Sequence, residues 1–264
     1  MMMKSTLKIA AVMIAIPTCA GAQTGGTQTG GTQTRYRVAL GPQITPRYPG
    51  ADGGRIGPLV DVARAEGSEP YAFEAADESF GIPLFIRDRF SIGPSANLQG
   101  KRRSRDVGGV LPEVGFTVEI GGFVQYALTP AVRLRGEVRK GIGGHRGLIA
   151  NVGADYVARG GDDWLFSVGP RVTLANDRFN SAYFDVTPDA AALSGLPVYD
   201  AGGGLQAVGV TAGYIKQFTP RWGVYGYAKY DRLAGDAADS PVVARYGSRN
   251  QLSGGVALTY SFRR

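Results

Sequence analysis

Gln251–Phe262 reads QLSGGVALTYSF. Alternate residues Leu252, Gly254, Val256, Leu258, Tyr260 and Phe262 fall on one side, and Gln251, Ser253, Gly255, Ala257, Thr259 and Ser261 on the other. Successive side chains of a strand point to opposite faces, so the segment predicts a strand with one apolar or small face and one polar face. A half-buried strand of any β protein can look like this. The weight comes from recurrence of the pattern along the chain and from the aromatic residues that close it. Outer-membrane barrels are built this way, apolar toward lipid and polar toward the lumen.

Working outward, alternation predicts strands at about 36–45, 56–64, 71–76, 80–86, 90–98, 114–126, 132–139, 148–156, 164–174, 205–217 and 222–231, with the closing strand as the twelfth. The third and fourth are weak, and the phase of the tenth is ambiguous. The seventh is the most telling. Val132, Leu134, Gly136 and Val138 face one way, and Arg133, Arg135, Glu137 and Arg139 the other. A soluble sandwich can also wear a charged face, so the connections must decide. They are short around EGSEP, RDR, TPA, RGGDD and TPR, and long at 46–55, 100–113, 176–204 and 233–249. Modest loops near 77–79 and 141–147 depart from this contrast. Short periplasmic turns and longer external loops are the habit of outer-membrane barrels. An even strand count leaves both ends on the periplasmic side. The expected fold is all-β: a closed antiparallel transmembrane barrel of about twelve strands over residues 36–264, since only closure satisfies strand backbones in lipid.

Composition agrees. Gly numbers 40 and Tyr plus Phe 24 in 264 residues, which suits strands and aromatic girdles better than helices. Mean hydropathy is −0.08, which argues against a spanning helix in the bulk of the chain. Net charge is +7, and removal of Lys4 and Lys8 with a leader leaves +5. The basic residues are dispersed among acids, which argues against nucleic acid. Met1–Ala22 carries Lys4 and Lys8, an apolar run from Ile9 to Ile16, and Ala20-Gly21-Ala22, the layout of a cleaved secretory signal. The run is about half of the roughly 20 residues a spanning helix needs. Cys19, the single cysteine, lies within this leader behind Ile16-Pro17-Thr18, a poor lipobox. The mature chain would then hold no disulfide or thiolate metal site. Residues 23–35, with GGTQT repeated, read as a flexible spacer.

Three stretches are not explained by alternation. They are Tyr48-Pro49-Gly50-Ala51-Asp52, then Tyr183–Val186 leading into AAALSGLPVY (190–199) and DAGGGL (200–205), and RLAGDAADSPVV (232–243) followed by Gly247-Ser248. Together they resemble the MipA/OmpV family of outer-membrane proteins, from about Tyr36 to Phe262. The run GDAADSPVV with its following Gly-Ser and the final Tyr-x-Phe is the most specific part. Arg263 and Arg264 follow the aromatic residue on which the family usually ends. The resemblance implies a non-catalytic protein of the Gram-negative outer membrane, one that scaffolds a lytic transglycosylase and a bifunctional penicillin-binding protein. It also implies a different possibility, an entry route for small solutes or antibiotics. No family motif assigns these roles to particular residues.

Candidate site residues fall in two groups. The lumen charges are Glu119, Arg133, Arg135, Glu137, Arg139, Asp155, Arg171, Lys229 and Asp231. They could line a selective pore or form a paired network that plugs it. Arginines outnumber Glu137 on the seventh strand, so acids on other strands should complete the pairing. The second group is the family-like loop with Asp236, Asp239, Ser240 and Pro241. Calcium needs six or more oxygens from a shaped loop, so this loop reads as a turn that folds inward or covers the barrel mouth. Gly202-Gly203-Gly204 lacks the Lys-Ser/Thr of a phosphate loop. His145, the single histidine, has no second ligand near it for zinc. There is no Gly-x-Ser-x-Gly motif. No catalytic residue, cofactor or metal is expected. The basic run Lys101-Arg102-Arg103-Ser104-Arg105 lies in an external loop, where it is either solvated or touches lipopolysaccharide phosphates. Short turns offer a periplasmic partner little surface, which is the physical difficulty for a scaffold.

Overall fold

The structure is a computed structural model and describes residues 33–264. The expected leader and nearly all of the spacer lie outside the described residues. The strands are β1 (Thr34–Pro46), β2 (Gly54–Glu66), β3 (Phe80–Gly81), β4 (Phe85–Arg87), β5 (Phe90–Gln99), β6 (Thr117–Thr129), β7 (Val132–Gly143), β8 (Leu148–Gly160), β9 (Trp164–Ala175), β10 (Gly204–Gln217), β11 (Trp222–Leu233) and β12 (Asn250–Arg263). They form one antiparallel sheet in the order β2-β1-β12-β11-β10-β9-β8-β7-β6-β5-β3, with β4 also on β5. First and last strands meet: β1 pairs with β12 from Arg35–Arg263 to Ile44–Gly254. Arg264 exchanges both backbone hydrogen bonds with Thr34, so the terminal arginines extend the ladder.

The alternation sets the two faces. Leu134, Val152 and Val256 are 42, 51 and 62% exposed, whereas their neighbours Arg135 and Asp155 are 8 and 2% exposed. Outward apolar residues are therefore the lipid surface, and the charges are enclosed. Near the turn end, Tyr36, Phe262, Tyr260 and Trp222 stack in series at 5.4, 6.2 and 4.8 Å between ring centroids, part of an aromatic girdle. Gly121 allows close strand approach: a Cβ there would sit 1.8 Å from the Val138 carbonyl oxygen.

The wall corrects the sequence reading in three places. Residues 71–76 form no strand. The chain from Gly67 to Ser79 instead climbs inside the lumen from the turn end. It makes the upward pass that parity requires, so both ends still lie on one side. The strand expected at 80–86 is broken into β3 and β4, which cover β5 from its turn end only as far as Ala96. Among the described residues no ladder joins β2 to β3, β4 or β5, and this leaves a seam in the wall. Third, β6 begins at Thr117 rather than 114, because Val114 bridges to Arg102 instead. The ambiguous phase expected for the tenth strand has its cause in a bulge between Leu205 and Ala207, which turns both Gln206 and Ala207 inward.

The long loops fold as a lid. It contains a 3-10 turn (Ser104–Val107) and helices α1 (Asp177–Phe184), α2 (Pro188–Ser194), α3 (Gly235–Asp239) and α4 (Pro241–Tyr246). Each of α1, α2 and α4 starts at a side-chain cap, from Asn176, Thr187 and Ser240 respectively. Tyr48, Val107, Leu111, Phe179, Tyr183, Phe184, Val242 and Val243 pack into a single apolar cluster across the loop-end mouth.

Candidate functional site: a charged lumen and its inner segment

The lumen charges converge on β6 to β9 and β11, and the inner segment adds a further acid to four of the cations. Arg171 donates from Nε to Asp77 Oδ2 at 2.9 Å and from Nη2 to Asp77 Oδ1 at 3.1 Å. The same Nη2 reaches Asp155 Oδ1 at 2.7 Å. Arg133 joins Asp155 Oδ2 at 2.6 Å, pairs with Glu78 and donates to the Phe73 carbonyl at 3.1 Å. Lys229 bridges Asp77 and Asp231 at 3.3 and 2.9 Å. Arg135 donates to Glu137 at 3.2 Å, and Ser79 donates to the same oxygen at 2.6 Å. Arg139 pairs with Glu137 and donates to Glu119 at 2.9 Å. Arg133 and Arg135 also lie over the rings of Phe73 and Phe123.

A buried charge without a partner is costly, and removing one member of a buried pair exposes that cost. This explains why Asp77-Glu78-Ser79 runs through the lumen. Arg133, Arg135, Arg171 and Lys229 each meet one strand acid, but Arg133 and Arg171 share Asp155, and Asp77 and Glu78 give each of the four a second carboxylate. Asp155 and Glu119 come from other strands, as expected, but Asp77 and Glu78 come from a segment read as strand and loop. Sequence reasoning weighed His145 only against zinc and missed its pairing with Glu119. The histidine is buried, accepts from the Gly147 N–H on Nδ1 at 3.0 Å, and lies 3.1 Å from Glu119 through Nε2. With Nδ1 accepting, Nε2 must carry the hydrogen that Glu119 receives.

The second group sits in the lid and away from the network. Ser240 is fully buried, caps α4 through the Val242 N–H and donates to the Phe184 carbonyl at 2.6 Å. Pro241 is the first residue of α4, where its missing N–H costs nothing. Asp236 accepts from the Gly202 N–H at 2.8 Å, and Asp239 pairs with Arg249 at 3.1 Å. These contacts tie α3 and α4 to the loop before β10. Of the basic run, Arg102 is buried, contrary to a fully exposed loop, and donates to the carbonyls of Tyr183 and Pro112. Burial pushes the Tyr183 phenol above its ordinary range, so it stays neutral beside that guanidinium. Lys101, Arg103 and Arg105 remain exposed.

Between lid and inner segment lies a chamber of about 530 Å³. Tyr48 and Phe179 line it above, Asp77 and Glu78 below, and Glu119 and Lys229 at the sides.

A sheet that is apolar outside, charged and paired within, girdled by aromatics and joined first strand to last is a transmembrane β-barrel of the outer membrane. The chain belongs to the family described as MltA-interacting protein MipA, whose model matches residues 38–262. No curated protein matches it in sequence. Similar solved structures include the KdgM porin, at 10% identity and TM-score 0.36, covering 87% of this chain and 99% of that one. An outer-membrane channel from Pseudomonas putida F1 aligns at 12% identity and TM-score 0.37, covering 92% and 100%. The outer-membrane channel DcaP of Acinetobacter baumannii aligns at 7% and 0.37, covering 91% and 100%. Similarity at this level carries no argument about function.

Proposed function

We propose that the chain is a non-catalytic outer-membrane scaffold that docks a peptidoglycan lytic transglycosylase at its turn end and, through it, a bifunctional penicillin-binding protein. The observation that carries this reading is the filled lumen. Arg133, Arg135, Arg171 and Lys229 are used on the chain's own inner segment, and the lid covers the opposite mouth. Work is then left to the ends of the barrel. The family description supports the choice of partner. The turn end offers more relief than short turns suggest. A groove of about 850 Å³ runs among Tyr71, Asp163, Phe218, Arg221 and Phe262, and aromatic residues with Arg are the usual anchors of protein interfaces. Exposed Lys101, Arg103 and Arg105 place cations at the opposite rim, where lipopolysaccharide phosphates lie.

Capture of a purified lytic transglycosylase in detergent tests this. The native barrel retains it, and replacing Asp162-Asp163 and Thr219-Pro220-Arg221 by Gly-Ser abolishes retention. Absence of capture by the native barrel contradicts the scaffold reading. Equal capture by the variant removes the groove from it.

The chamber between lid and inner segment favours a second reading, a solute route that opens when the segment withdraws. Steady conductance of the native protein in planar bilayers would favour that reading over the first.

A further inference from the structure

The seam between β2 and the β3–β4 edge encloses a second recess of about 640 Å³ in the turn-end half of the barrel. Its composition differs from that of the lumen network above it. Val62, Phe80, Ile82 and Ile86 form its outer lips and are exposed toward lipid. Arg37, Asp61, Glu74 and Tyr225 form its inner wall. Arg37 and Tyr225 are only 5 and 6% exposed. Among the described residues, no hydrogen bond or ion pair of the protein engages any of these four side chains. The Arg37 guanidinium has one contact of note, the ring of Tyr71 at 4.7 Å beneath it. Asp61 is half-buried, and Glu74 opens into the recess.

Unpaired charges beside an opening to lipid are costly unless a ligand satisfies them. The set has two signs. One guanidinium and one phenol can donate to an anion, and two carboxylates can accept from a cation. The lips are apolar and open sideways, into the hydrocarbon. An occupant that fits carries an anion and an ammonium on one head, with an attached apolar tail that leaves through the wall. We propose that the recess holds one aminophospholipid of the turn-side leaflet, its phosphate on Arg37 and Tyr225 and its ammonium on Asp61 and Glu74. Its acyl chains pass out through the seam over Ile82 and Ile86. The bound lipid also fills the turn-end part of the seam between β2 and the β3–β4 edge. This proposal does not depend on the scaffold reading.

Native mass spectrometry of the delipidated, refolded full barrel tests it, with phosphatidylethanolamine and phosphatidylglycerol of identical acyl chains as probes. The expected result is one retained phosphatidylethanolamine, preferred about tenfold over phosphatidylglycerol, as charge-assisted hydrogen bonds to the ammonium allow. Asp61→Asn with Glu74→Gln removes the preference, and Arg37→Gln lowers retention of both lipids. Unheated gel mobility verifies that each variant is folded. If Arg37→Gln does not fold, Tyr225→Phe takes its place, with the same loss expected. Equal retention of the two lipids by the native barrel overturns the proposal. So does a preference that survives loss of both carboxylates.

Discussion

Arg171 on β9 holds Asp77 of the inner segment through two parallel hydrogen bonds, at 2.9 and 3.1 Å, while its Nη2 also reaches Asp155 on β8. The arrangement joins the segment to the wall by the planar fork that makes arginine hard to replace. Asp77→Ala leaves Arg171 and Lys229 short of a carboxylate and is expected to destabilise the barrel by about 3 kcal/mol. Urea unfolding in detergent, followed by tryptophan fluorescence, measures this. Adding Arg171→Gln to the Asp77 variant should cost less than the two single changes summed, because they share one interaction.

His145 and Glu119 give a second prediction. The protein has one histidine, so a ¹⁵N spectrum of histidine-labelled barrel reports it alone. The Gly147 N–H on Nδ1 requires the neutral Nε2–H form. A spectrum of the Nδ1–H form would contradict donation from Nε2 to Glu119. Glu119→Gln, which weakens hydrogen bonds from Arg139, Asn97 and His145, should cost about 2 kcal/mol.

Much of this was readable before the structure. Strict alternation in Val132–Arg139 placed its arginines inside, and QLSGGVALTYSF placed the closing strand. The inner segment was misread for a physical reason. Tyr71, Phe73 and Ala75 alternate with Ala72, Glu74 and Ala76, and an extended chain packed inside a lumen shows the same two-residue period as a strand in the wall. What distinguishes the two is where backbone hydrogen bonds go, which is a long-range matter. One signal was available. Three arginines on β7 needed acids, and Asp77-Glu78 follows the doubtful strand directly. The lid helices also left signals that strand-counting passed over. Thr187-Pro188 and Ser240-Pro241 each combine a capping hydroxyl with a proline at the first helical position. Pairing of Arg102 with carbonyls of the lid had no local signature at all.

The lid should loosen on loss of one hydroxyl. Ser240→Ala removes both the cap of α4 and the bond to the Phe184 carbonyl. The expected cost is about 1–2 kcal/mol, confined to the lid. Hydrogen exchange should rise across residues 235–246 and stay unchanged in β6 to β9. Exchange rising equally throughout would mean that the lid is not a separate unit.

The wall tolerates no side chain at Gly121. A valine there would meet the Val138 carbonyl and force β6 from β7. Gly121→Val should therefore lose the compact unheated band on a gel. A compact band of native mobility would show that the two strands can separate at no cost.

The central claim is that this barrel is closed from within by its own segment, held by charge. Single-channel recording in planar bilayers tests it most directly. The native protein should stay silent across the voltage range, and Asp77→Asn with Glu78→Gln, which loosens the segment from Arg133, Arg135, Arg171 and Lys229, should open to stepwise conductance. A native barrel that conducts steadily, or a folded variant as silent as the native one, would contradict it.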